Sequence, residues 1–136
     1  MINTPATTRT ILIVDDEEMV LTLGRVILER KGYNVRVALS GAQALELCRE
    51  SEMRPDCIIV DYTMPDMNGR ETLLAIRKIL PTVPALISSG YSDDEIAEEM
   101  AGISVSGMIH KPYRQESLLA AIEAVFASAD QGTFRL

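Results

Sequence analysis

The sequence predicts an α/β domain in which βαβ units build a parallel sheet, and three observations carry the prediction. Short apolar runs rich in β-branched residues alternate with longer segments of helical period, and five such pairs can be counted. The first run, Thr10–Val14, is apolar in its last four residues and is followed by acids, the pattern of a strand covered on both faces. Helix boundaries are punctuated: Lys31-Gly32 is a stop signal, and Ser40 and Ser92 each open a capping-box string.

Taken in order, Thr10–Val14 is expected to be the first and central strand. Asp15, Asp16, Glu17 and Glu18 then place negative charge at a helix N-terminus, and Val20, Leu23 and Ile27 follow at helical spacing. Residues 33–38 read as the second strand, and the helix after Ser40 is expected to bury Ala44, Leu45 and Cys48. The third strand, residues 56–60, runs into Asp61. A loop dense in turn formers over residues 64–69 leads to a helix marked by Leu73, Ile76 and Leu80, which Pro81 closes. Residues 83–87 form the fourth strand, with Pro84 at its start, where no ladder donor is lost. The fourth helix runs through Met100 on the apolar support of Ile96, Ala97 and Met100. Residues 105–110 are a short fifth strand, and Leu118, Ile122, Val125 and Phe126 define a last amphipathic helix. The domain is expected over residues 9–128, after an N-terminal extension of residues 1–8 and ahead of a frayed C-terminal tail of residues 129–136.

A chain of 136 residues has the size of one domain, and 47% apolar with 24% charged residues suits a folded globular protein. The formal charge of −7 repels phosphate backbones and anionic lipid, which argues against direct nucleic-acid or membrane-surface binding. No stretch approaches the ~20 apolar residues of a membrane span and the N-terminus has no signal-peptide pattern, so a cytoplasmic location is expected. Cys48 and Cys57 lie in apolar runs without zinc or redox spacing and read as reduced core thiols.

In open parallel α/β sheets, ligands bind at the carboxyl ends of the strands, where the strand order reverses. Here the first strand ends in Asp15 and Asp16, the third in Asp61, the fourth near Ser89 and the fifth in Lys111. Singly, each has an ordinary reading. Asp15 and Asp16 could cap a helix, Asp61 could belong to a turn, Ser89 to a loop, and Lys111 to the solvated surface. Their joint placement at four strand ends is what points to chemistry, because capping accounts for the first pair only. Gathered carboxylates repel one another until their pKa values rise or a cation neutralises them. All-oxygen ligation suits Mg²⁺, or Mn²⁺, and a carboxylate beside such a cation can act as nucleophile toward phosphorus.

The chain resembles the receiver domain of the bacterial response-regulator family. The resemblance rests on Ile-Leu-Ile-Val-Asp15-Asp16-Glu17, on Ile-Ile-Val-Asp61-Tyr62-Thr63-Met64-Pro65-Asp66-Met67-Asn68-Gly69, on Ser88-Ser89-Gly90-Tyr91 and on Ile-His110-Lys111-Pro112-Tyr113. It implies a flavodoxin-like, doubly wound sheet of five parallel strands in the order 2-1-3-4-5 with five flanking helices. It implies Asp61 as phosphoacceptor and a sensor histidine kinase or histidine phosphotransfer protein as donor. It further implies a Mg²⁺ site of Asp15, Asp16, Asp61 and the Thr63 backbone carbonyl, with Ser89 and Lys111 on the phosphoryl group. The bond from Lys111 to Pro112 is often cis in this family, and a downstream protein would meet the face of the fourth helix, fifth strand and fifth helix.

One position departs from the pattern. Where the family usually carries Phe or Tyr, this chain has Met108, which can fill a pocket but offers no ring to turn inward. Tyr91 and Tyr113 read first as ordinary surface tyrosines, with a substitute for the missing ring as the alternative reading of each, and His110 is not expected to donate. No DNA-binding segment follows the last helix, so the expectation is a stand-alone receiver or one excised from a larger protein, with the Ser88–Tyr91 and Lys111–Tyr113 strings resembling those of hybrid sensor kinases. Rival readings are a receiver-like interaction module that is never phosphorylated and an aspartyl-nucleophile Mg²⁺ phosphatase. The phosphatase would need a second aspartate where Thr63 stands, and a flavin phosphate would be repelled by the four acids after the first strand. The expected class is therefore a regulatory domain rather than an enzyme.

Overall fold

The computed structural model describes residues 8–50, 52–90 and 93–134. Five strands and five helices alternate: β1 (Thr10–Val14), α1 (Glu18–Arg30), β2 (Asn34–Ala38), α2 (Gly41–Arg49), β3 (Cys57–Asp61), α3 (Gly69–Ile79), β4 (Ala85–Ser89), α4 (Asp93–Glu99), β5 (Gly107–His110) and α5 (Gln115–Phe134). The strands are all parallel in the order β2-β1-β3-β4-β5, so the expected doubly wound sheet is borne out. Among the described residues no helix is long and apolar enough to cross a membrane.

Because side chains alternate along a strand, each strand feeds two cores. Leu12, Val14, Ile58, Val60, Ala85 and Ile87 pack with Ala44 and Cys48 of α2, Leu73 and Ile76 of α3, and Ile96 of α4. The intervening Ile11, Ile13, Cys57, Ile59, Leu86 and Ile109 pack with α1 and with Leu118, Ile122, Val125 and Phe126 of α5. The central strands are buried on both faces but for Thr10 at the start of β1, which is why they read as apolar runs up to their polar carboxyl ends. Cys48 and Cys57 are buried and free, as expected, and burial pushes the Cys57 thiol up to about 12.

Several expectations need correction. On α1 the buried residues are Leu21, Gly24, Ile27 and Leu28, whereas Leu23 is exposed and Val20 only half-buried. The inward stripe passes through a glycine, where hydrophobicity leaves no mark, so the apolar spacing selected a neighbouring stripe. Ala97 is exposed, and Leu45 and Leu80 are half-buried at the edge of their core. The third strand includes Asp61 itself, and the fourth starts at Ala85, after Pro84, whose carbonyl accepts the N–H of Ile58 at 3.0 Å. The Ser40 hydroxyl accepts from Gln43 N, but the Gln43 side chain reaches back to Leu39 N instead of completing a box on Ser40. Ser92, the other expected cap, lies outside the described residues. Helix α5 runs to Phe134.

A complete capping box opens α3: Asn68 Oδ1 accepts Glu71 N at 2.9 Å, and Glu71 Oε1 accepts Asn68 N at 3.0 Å. The next residue, Gly69, donates its N–H to Tyr62 O at 2.8 Å. A Cβ there would lie 2.7 Å from Tyr62 Cα and 2.9 Å from Asp61 O, so only glycine lets α3 begin against the end of β3. Gly69→Ala is expected to cost about 1–3 kcal/mol of unfolding free energy by forcing backbone apart. Urea denaturation with an unchanged m-value checks this, and a neutral result would mean that the loop yields freely.

Candidate functional site

The carboxyl ends of β1, β3, β4 and β5 open on one rim, and β1 and β3 are the neighbours at which the chain changes direction across the sheet. Asp15 follows β1 and is fully buried, Asp61 closes β3 at 1% exposure, and Asp16 beside them is exposed. Carboxylate oxygens of Asp15, Asp16 and Asp61 lie within 4.8 Å of one another. Lys111, just past β5, reaches in between: its Nζ lies 3.1 Å from Asp15 Oδ2 and 3.3 Å from Asp61 Oδ2. Three separate segments thus bring together the three expected aspartates and the expected lysine.

Backbone donors orient both buried acids. Glu17 N donates to Asp15 Oδ1 at 2.9 Å, and Thr63 N donates to Asp61 Oδ1 at 3.3 Å. Ser89 is buried at the end of β4, and its carbonyl accepts Lys111 N at 3.0 Å, which ties the two expected phosphoryl contacts through the main chain. The Lys111–Pro112 peptide is cis. Thr63 sits on the exposed loop after β3.

Burial, and then the charge of Asp15, push the Asp61 carboxyl from its ordinary 3.8 up to about 6, against the pull of Lys111 and the Thr63 N–H. Burial also raises Asp15. Burial alone would lower Lys111, but the hydrogen bond and charge of Asp15, with the charge of Asp61, outweigh it and hold the ammonium above its usual range. One lysine does not neutralise three aspartates, and the residual repulsion is what a cation would relieve. The donor set fits a hard divalent ion: oxygen ligands only, two buried and one open to solvent, where the ion could keep waters.

Four contacts around the site were not legible in advance. Glu17, the N-cap residue of α1, places Oε1 3.3 Å from Lys111 Nζ. Tyr62, next to Asp61, donates its hydroxyl to Glu99 Oε1 of α4 at 2.8 Å, and Arg70 of α3 donates to Glu99 O at 2.7 Å. Tyr113, whose surface reading is corrected here, is 6% exposed and donates to Ser88 Oγ at 3.3 Å within the core shared by α1 and α5. A polar tip on an aromatic ring gives no sequence sign of which way the ring points. Tyr91 lies outside the described residues, His110 is exposed at the end of β5, and Met108 is half-buried against the core beneath α4.

A family model described as the response regulator receiver domain matches residues 11–123. The chain belongs to this family. It is 37% identical over 117 residues to the transcriptional regulatory protein ZraR of Escherichia coli K12, covering 86% of this chain and 26% of that protein. It is 31% identical over 121 residues to the sensor kinase CckA of Brucella abortus, covering 89% of this chain and 13% of that protein. The chain therefore spans about a quarter of the length of the first relative and about an eighth of the second. Among solved structures, the chemotaxis protein CheY4 of Vibrio cholerae superposes with a TM-score of 0.81 at 29% identity, over 88% of this chain and 99% of that one.

The raised Asp61 carboxyl makes stability depend on pH when no divalent cation is added. Its folded value lies above the unfolded one, so its contribution is complete below pH 3.8 and is lost as pH rises through about 6. Lys111 stays charged throughout that window. Asp61→Asn, which cannot ionise, is expected to be more stable than wild type by about 1–2 kcal/mol at pH 7.5, with the gap closing toward pH 4. Paired thermal melts across this range provide the measurement, and a gap that widens on acidification would reverse the sign argued here.

Proposed function

We propose that this receiver domain accepts a phosphoryl group on Asp61 from a phosphohistidine and thereby switches the affinity of a partner-binding surface. The observation that carries the reading is the single carboxylate, Asp61, buried at the open end of β3 between two further acids and an ammonium. In the transfer, the P–N bond of the phosphohistidine breaks as an Asp61 Oδ–P bond forms, and the imidazole leaves and takes a proton from solvent. Asp15, Asp16, Asp61 and the Thr63 carbonyl would hold Mg²⁺ or Mn²⁺, which when bound neutralises the carboxylates and the incoming phosphoryl oxygens.

The protein's own part is position and charge. Thr63 N and Lys111 Nζ fix the two oxygens of Asp61, leaving the carboxylate oriented toward the rim. Lys111 then pairs with the phosphoryl oxygens as a point charge, and Ser89 donates its hydroxyl to another. Ser89 is the switching hydroxyl drawn toward the phosphoryl group, and Glu99, the last residue of α4, is tied to Tyr62 beside Asp61 and to Arg70. A downstream protein would read the face of α4, β5 and α5. The donor is a sensor histidine kinase or a histidine phosphotransfer protein on the cytoplasmic side. The similarity to part of a sensor kinase favours a place within a hybrid kinase.

A second reading, a receiver-like module that binds partners without phosphorylation, is favoured by Met108, which removes the usual aromatic reporter from β5. Incubation with Mg²⁺ and acetyl phosphate, followed by intact-mass spectrometry, separates the two. One added phosphoryl group is expected for wild type, none for Asp61→Asn, and a rate roughly 10- to 100-fold lower for Lys111→Met. No adduct in wild type would sink the phosphorylation reading in favour of the second.

A further inference from the structure

Glu17 is poorly explained by the reasons that usually place an acid at a helix start. It occupies the N-cap of α1, where Ser, Thr, Asp or Asn would cap, and its side chain makes no capping hydrogen bond. Its backbone does the local work, with the N–H on Asp15 Oδ1 and the carbonyl accepting Val20 N and Leu21 N. The carboxylate instead crosses to Lys111, 94 residues away, at 3.3 Å. Lys111 has three protons, and three carboxylates from two segments lie within 3.3 Å of its Nζ: Asp15 and Glu17 between β1 and α1, and Asp61 at the end of β3.

Resting on the phosphoryl-transfer reading, we infer that Glu17 is a positioning residue that competes with the phosphoacceptor for Lys111 and so sets how readily the ammonium turns to a phosphoryl group. A new anion on Asp61 can gain the full ammonium only if an existing partner lets go. Asp15 is fully buried and fixed by the Glu17 N–H, so it has no water to turn to, whereas Glu17 is 64% exposed and returns to water at little cost. Glu17 is therefore the partner that yields. Its grip lowers the affinity of the site for phosphoryl-like anions in proportion to the strength of that exposed pair.

The test compares Glu17→Gln with Glu18→Gln. Both remove one charge from the start of α1, but no contact between Glu18 and Lys111 is present, and neither side chain caps the helix, so both variants keep the fold. Beryllofluoride, which imitates a phosphoryl group on a carboxylate, is titrated by calorimetry in the presence of Mg²⁺. Glu17→Gln is expected to bind about threefold tighter than Glu18→Gln. The ¹⁵N signal of the Lys111 ammonium, recorded without beryllofluoride, should shift in Glu17→Gln and stay in place in Glu18→Gln. Equal affinities with an unmoved ammonium signal would reduce Glu17 to its charge and overturn the inference. Weaker binding by Glu17→Gln would also overturn it, making Glu17 part of the anion or cation site. If wild type binds no beryllofluoride, the phosphoryl-transfer reading fails with it. Tight wild-type binding with no difference between the variants defeats the Glu17 inference alone.

Discussion

Two buried carboxylates at adjacent strand ends, Asp15 and Asp61, cannot both stay ionised without compensation, and the rest of the site is arranged around that constraint. Lys111 arrives from beyond β5 to supply one positive charge, and the N–H groups of Glu17 and Thr63 supply partial ones. What they supply is not enough to return Asp61 to its ordinary pKa. A site left short of positive charge in this way is poised to gain a cation. Asp61 closes β3 at the rim where that cation would sit.

Placing these groups to within a few tenths of an ångström falls to the scaffold. Asp61 is held by a strand buried over its whole length, and the loop that follows is pinned where Gly69 lets α3 meet the backbone of Tyr62. Lys111 is joined to β4 through the Ser89 carbonyl, and Tyr113, two residues on, anchors the same turn to Ser88 in the core. The bond from Tyr62 to Glu99 connects the residue after Asp61 to α4, and that from Arg70 to the Glu99 carbonyl connects α3 to it. With Met108 in place of an aromatic ring on β5, this polar link is a physical connection between the acid cluster and α4.

The sheet and its order were legible because a doubly wound parallel sheet imposes apolar runs on its strands and a helical period between them. The aspartates and Lys111 were legible because strand ends are where such a fold places its chemistry. What was hidden depends on direction in space. The inward stripe of α1 runs through Gly24, so Leu23 looked like core and is not. Tyr113 points into the domain and Tyr62 across to α4, choices that one residue type makes differently from site to site. Glu17 stood in an acidic string whose ordinary function is to face a helix dipole, and only the fold brings its carboxylate to Lys111. The Asn68 capping box was masked by the turn formers around it, since the residues that cap helices are those that make turns.

The account turns on protons, lysine and cation competing for the same carboxylates. Calorimetric titration with Mg²⁺ at pH 6, repeated in buffers of different ionisation enthalpy, counts the protons that leave when the ion binds. With Asp61 at about 6, roughly half a proton or more should be released per ion bound, falling toward zero by pH 8. Binding at pH 6 with no proton released would mean that the ion does not engage Asp61, and the charge balance described for this site would be wrong.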